Sequence, residues 1–315
     1  DKFDNIFFKA KGNYDNFEIY SLLNFNESKI SSSEIEYSKK ENIPSNLEVL
    51  VNYNDKKNII KKISFVENEN SFSLNNLYLS KDFKIIKVDE INLNFVNKNK
   101  ILNNLNVKRN KTNYIISSSN YDVEKILETL LNNSNKNQKF KIFKNLNTTL
   151  GFDLKSLYLE KESYLSNFSG TVDIKNNRLF LASINAKLNE NNKFSYSFRT
   201  TPKNERITNI FIQEPKPFIN NYKFIKGFKE GELKLSSIKI DENSRSNLKI
   251  TNFKVKEVPV LAKILTLASL QGIADLLTGE GIRFNEFEMD YRTKNNLTEI
   301  DEMYAIGPAI SIMME

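Results

Sequence analysis

The chain contains no histidine and no cysteine. Their absence excludes Ser-His-Asp and Cys-His catalysis, thiolate redox chemistry and His/Cys zinc sites. It also excludes disulfides, and with them any inference about redox compartment from cysteine. No run of basic residues is present. The 46 Lys and Arg exceed the 39 Asp and Glu by a net +7 spread along 315 residues. Such a thin surplus describes solvated strand faces and argues against a nucleic-acid surface. EF-hand spacing and metal-ligand clusters are missing too, so neither a metal nor a cofactor is expected. Asn, Lys and Ile are heavily used, which AT-rich codons explain without a functional reason. The chain opens at Asp1 with no Met or leader and stops in the strand-like Ile310–Glu315. It is therefore expected to be a piece of a longer polypeptide whose membrane anchor lies outside it.

What is present is alternation. In Lys193–Arg199, a period of two puts Phe194, Tyr196 and Phe198 on one face and Lys193, Ser195, Ser197 and Arg199 on the other. Leu47-Glu48-Val49, Ile91 to Phe95 and Leu105 to Lys108 repeat the pattern. The segments recur every 10 to 15 residues between Asn-rich turns such as Lys175–Arg178 and Asn189–Asn192. This spacing predicts a meander of consecutive antiparallel strands. Phe180, Ala182, Ile184 and Leu188 share a parity and are expected beside the Phe194–Phe198 face; Leu248 and Ile250 extend the apolar lining. Two late strands change phase, at Thr251-Asn252 and at Asn285-Glu286, and one extra residue in each, a β-bulge, would restore the face.

Three segments break the alternation. Asp122 can cap a helix near 122–131, Pro217 can open one near 217–226, and Pro259 and Gly279 bracket a nearly all-apolar run at 258–278. That run carries Lys263 and Asp275 and is marginal against the ~20 apolar residues a spanning helix needs. Val260, Leu261, Ile264, Leu265, Leu267 and Leu270 are its candidates for packing on the sheet or touching lipid. Polar residues 132–139 suggest a subdivision into 1–135 and 136–315.

Adjacent carboxylates such as Asp89-Glu90 and Asp301-Glu302 point to opposite faces of a strand and do not converge on a substrate. Gly279-Glu280-Gly281 follows the apolar run instead of preceding a helix and lacks Gly-Lys-Ser/Thr, so it reads as a helix stop, not a phosphate loop. No catalytic residues are assigned. A sheet of many such strands has one large apolar face, which must close into a barrel, fold into a sandwich or shelter something greasy.

The order of features near the end resembles one family. Phe253-Lys254-Val255, Pro259-Val260-Leu261-Ala262, Leu267-Ala268-Ser269-Leu270-Gln271-Gly272, Gly279-Glu280-Gly281-Ile282-Arg283-Phe284 and Gly307-Pro308-Ala309 follow the C-terminal pattern of the AsmA-like proteins of bacterial envelopes. Gln271 and Glu257-Val258 depart from it. The resemblance covers about the last hundred residues and implies the following. The fold is mainly β, a long curled antiparallel sheet shaped as a groove, with a few packed α-helices. The protein is periplasmic, anchored in the inner membrane of a Gram-negative bacterium, and not an enzyme. Its partners are phospholipids, the membrane and further envelope proteins, and its role is phospholipid movement to the outer membrane. Residues 136–315 are the AsmA-like region and 1–135 a preceding β-rich segment. A structural periplasmic scaffold or assembly factor is the alternative. An outer-membrane barrel fits the alternation but not the helices or charges.

Overall fold

The structure is a computed structural model. It describes residues 6–13, 15–33, 35–54, 57–125, 146–160, 162–219, 226–257, 279, 281–295 and 297–314. The described residues are mainly strand, and eighteen strands join in one large, mostly antiparallel sheet. By compactness the chain divides into two units, Asp1–Phe180 and Leu181–Glu315. The subdivision expected at 132–139, and most of the helix expected at 122–131, fall outside the described residues.

In the first unit the ladder runs β1 (Ile6–Asn13), β2 (Asn16–Asn24), β5 (Ser45–Asn54), β6 (Lys57–Glu67), β7 (Asn70–Leu79), β8 (Ile85–Val96), β9 (Leu102–Asn110), β10 (Asn113–Asp122), β11 (Thr148–Glu160) and β12 (Ser163–Lys175). Every neighbour is antiparallel except β10 and β11, which pair in parallel from Tyr114 opposite Leu150 to Asp122 opposite Tyr158. A parallel pair needs a crossover, and the long connection after Asp122 supplies its length. Asp122 begins that connection as a cap, accepting a hydrogen bond from the Glu124 amide at 3.0 Å. A separate two-stranded hairpin, β3 (Ile30–Ser32) and β4 (Tyr37–Lys39), pairs only with itself.

In the second unit, which begins within β13 (Arg178–Leu188) at Leu181, β13 and the strands β14 (Asn192–Thr200), β15 (Arg206–Gln213), β16 (Lys226–Ile240), β17 (Asn243–Glu257), β18 (Ile282–Lys294), β19 (Leu297–Ile306) and β20 (Ser311–Met314) pair antiparallel in chain order. The turns work as the Asn-rich sequences predict. Asn176 (φ 49°) and Asn177 (φ 60°) both take the left-handed conformation that a two-residue hairpin turn demands.

The helices are fewer than expected among the described residues. Among the described residues, one short helix is complete, α1 (Lys216–Ile219), a single turn closed by the Phe218 and Ile219 amides on the Pro215 carbonyl. The helix expected over 217–226 cannot reach its end, because Lys226 already belongs to the β16 ladder opposite Glu257. Residues 258–278 lie outside the described residues, and with them Val260, Leu261, Ile264, Leu265, Leu267 and Leu270.

The late phase changes are real, but no extra residue causes them. Thr251 pairs with Glu232 and Phe253 with Glu230 in one unbroken register, and the same holds for Thr251–Glu286 and Phe253–Phe284. Asn252 between them takes φ 54°, so Ile250 and Phe253 both turn inward. The first unit uses the same device at Asn76 (φ 51°) in β7 and Asn167 (φ 51°) in β12. A left-handed residue costs an ordinary side chain about 1–2 kcal/mol and Asn less, which explains the residue type.

Candidate functional site

Alternation fixes the faces of the second unit, and register aligns them. Two apolar rows cross all eight strands. One reads Ile184–Tyr196–Ile210–Leu235–Leu248–Met289–Met303–Met314, each opposite the next. The other reads Ala186–Phe194–Ile212–Leu233–Ile250–Phe287–Ala305–Ile312. At ~4.8 Å between strands, the rows run about 34 Å. Tyr196, Ile210, Leu235, Leu248, Met289 and Met303 remain half-exposed. Burial in this apolar setting pushes the Tyr196 phenol above its ordinary pKa.

The apolar band has two different margins. On one side the next row passes through Phe198, Thr208, Ser237 and Ser246, where the Ser246 hydroxyl donates to Ser237 at 2.9 Å. On the other side Phe228, Phe253 and Phe284 stack at 5.4 and 5.2 Å with ring planes 15° apart. They form a buried cluster with Ile219, Ile250, Ile282 and Ile310. Helix α1 contributes Ile219 to that cluster and lays Phe218 on Phe194 at 5.7 Å. Gly281 enters it without a side chain, since a Cβ there would lie 2.7 Å from the Val255 carbonyl oxygen.

The opposite face is mostly polar, with Leu181, Ile238, Ile240 and Ile306 exposed on it. Ser183, Ser197, Asn209 and Ser236 follow one another in register and, being short, leave a shallow depression of about 300 Å³. Further along, Lys249 bridges Glu286 (2.9 Å) and Glu288 (3.1 Å), while the Tyr304 hydroxyl donates to Glu286 and Glu288 at 2.7 and 2.6 Å. Bonds from Tyr304 and then Asn247 outweigh desolvation and hold the Glu288 carboxyl down at about 2. Lys249 and then Tyr304 likewise lower Glu286. A carboxylate so stabilised is a poor proton acceptor at neutral pH. The cluster reads as a surface ion-pair ladder. Among the described residues no group of three His, Cys, Asp or Glu is placed to hold a metal.

Of the lining residues predicted from sequence, Ala182, Ile184, Phe194, Tyr196 and Phe198 meet on one face, with Ala182 opposite Phe198 and Ile184 opposite Tyr196. Leu188 lies fully buried at the end of β13. Leu248 and Ile250 belong to the two rows. Phe180 closes the first unit with the Lys175 ammonium 3.5 Å from its ring centre. Sequence reasoning missed Ile210, Ile212, Leu233, Leu235, Phe287, Met289 and Met303 as lining residues. Leu233-Lys234-Leu235 carried the signal; Ile210-Phe211-Ile212, three apolar residues in succession, did not.

The first unit has rows of the same kind. Leu23–Leu47–Phe65–Phe72–Leu93–Leu105 and Val49–Ile63–Leu74–Ile91–Val107–Ile116 are each in register. Ser64, Ser73, Asn92, Asn106 and Ser117 occupy the reverse face. Among the described residues no helix is long and apolar enough to cross a membrane. Comparison with family models, curated proteins and solved structures finds no match.

Proposed function

We propose that the chain is a non-enzymatic lipid-transfer segment of the AsmA-like kind, sheltering phospholipid acyl chains on the apolar face of a curled sheet. The observation that carries the reading is the pair of unbroken apolar rows across eight strands, one of them half-exposed over its middle six strands, with a mostly polar face behind them. A bilayer core ~30 Å thick holds two acyl chains end to end, so a band of about 34 Å suits either one or two. Each methylene laid on it gains about 0.8 kcal/mol with no directional contact. Burial of that kind offsets the hydrocarbon contacts a chain gives up on leaving a bilayer, and it is unspecific enough to let the chain slide. The polar reverse face keeps such a segment in water while its cargo stays covered. On the strength of the resemblance of the last hundred residues, the proposed setting is a Gram-negative periplasm, between an inner-membrane anchor and the outer membrane.

The test is mass spectrometry of lipids that co-purify with the chain, alongside a Leu235→Glu variant checked for folding by circular dichroism. Phospholipid should accompany the parent chain and fall at least fivefold in the variant. A parent chain free of lipid, or a folded variant with an undiminished load, defeats the proposal. The scaffold alternative then takes its place.

A further inference from the structure

The first unit carries a feature that the apolar rows do not explain. Its β3–β4 hairpin is seated on the apolar face where β6 and β8 end. Tyr37 stands edge-on to Phe65 and Phe95 at 6.0 to 6.5 Å and retains 8 % of its exposure. Its hydroxyl donates to Glu67, itself buried, at 2.6 Å, and Glu67 also accepts from Asn70. Two strands away in the ladder, Phe95 has the same facing as Leu93 and Ile91 of the rows, so Tyr37 occupies the band itself.

The hairpin is held by polar bonds on several sides. Lys39 is 1 % exposed, and its ammonium donates to the carbonyls of Ser28 (2.7 Å), Lys40 (3.0 Å) and Asn26 (3.2 Å). Asn26 in turn accepts from the Ser45 amide at the start of β5. The Lys98 amide in the β8–β9 turn donates to the Glu36 carbonyl, and Asn99 donates to the Glu36 carboxylate. Those carbonyls belong to the same β2–β5 connection, so Lys39 ties the loop to itself, while the Tyr37–Glu67, Lys98–Glu36 and Asn99–Glu36 bonds tie it to the sheet and its turns. This is the anchoring of a fixed part, not of a lid.

We infer that the β3–β4 hairpin is a stop: it ends the apolar band of the first unit at Tyr37, and acyl chains on that face do not pass the lip formed by the β6–β7 and β8–β9 turns. The inference rests on the lipid-contact reading and adds a direction to it. Cargo in the first unit must enter or leave elsewhere than over this lip.

The full chain tests it, carrying the photo-reactive residue benzoylphenylalanine at one site per preparation. Each preparation is equilibrated with vesicles of phosphatidylethanolamine and phosphatidylglycerol and illuminated. Placed at Ile91, inside the stop, the probe should capture phospholipid. Placed at the exposed turn residues Glu69 or Lys98, beyond the stop, it should capture at least tenfold less. Tyr37→Ala should raise capture at Glu69 to within twofold of that at Ile91. Equal capture at Ile91 and Glu69 in the parent chain overturns the stop. Absence of capture at Ile91 overturns the lipid reading beneath it. Hydrogen exchange on the parent chain decides the case independently of whether Tyr37→Ala folds. Amides of Tyr37–Lys39 should exchange as slowly as those of β5 and β6, and exchange a hundredfold faster would mark a mobile flap and refute the inference.

Discussion

The two units end their apolar bands in opposite ways. The first closes its band with a polar-anchored hairpin, whose Tyr37 donates to the buried Glu67 of β6 while the buried Lys39 bonds the carbonyls of its own loop. The second closes its band with stacked rings, Phe228, Phe253 and Phe284, on which no polar anchor is needed. Polar anchoring makes position depend on every bond being satisfied. Ring stacking makes it depend on volume. The same strand pattern therefore tolerates different substitutions in its two halves.

Volume loss should have the largest effect. Phe253→Ala removes the middle ring of the column and should cost about 3–5 kcal/mol in denaturant unfolding. Phe253→Leu should cost far less, because the column needs filling more than it needs a ring. In the first unit Lys39→Met keeps the stem and removes the donors. It should cost about 1–3 kcal/mol, since the carbonyls of Asn26, Ser28 and Lys40 lose their partner. A Lys39→Met protein as stable as the parent in urea would show that the anchor is not what holds the hairpin, and the contrast between the units would collapse.

Much of this was legible in the sequence. The parity of Phe194, Tyr196 and Phe198, the Asn-Asn turn at 176–177 and the cap at Asp122 follow from local chemistry, and each is where alternation and turn preference put it. Other features were not legible. Strands of three residues have no measurable period, so β3 and β4 could not be seen, and a buried lysine looks like any surface lysine until carbonyls surround it. The parallel pairing of β10 with β11 depends on a crossover, which strand alternation does not encode. The phase change at Asn252 was visible as a change of parity. Its cause was not, because an inserted residue and a left-handed residue shift parity alike.

That distinction yields a smaller effect. Asn252→Val should cost about 1–2 kcal/mol, from a branched side chain forced to φ 54°. Asn252→Gly should be nearly neutral, and equal losses for both would mean that the side chain, not the backbone angle, matters there.

The smallest effect concerns acid. Glu288 titrates at about 2 in the folded chain, below the ordinary value of ~4.3 in the unfolded one. A lowered folded value stabilises above the unfolded value, so the contribution of Glu288 is complete near neutrality. It fades as pH falls from ~4.3 through about 2. Tyr304→Phe removes the leading donor and should move the Glu288 midpoint upward in a carboxyl NMR titration. An unmoved midpoint would show that the Tyr304 bond does not govern it.

The central claim is that one face of the second unit, and not the other, meets acyl chains. Neighbouring positions on β14 test it directly, because Tyr196 and Ser197 differ in facing and in little else of their location. With benzoylphenylalanine at Tyr196, illumination in phospholipid vesicles should give a protein–lipid adduct, and at Ser197 at least tenfold less. Equal adducts at both positions, or none at Tyr196 in a folded chain, would contradict it.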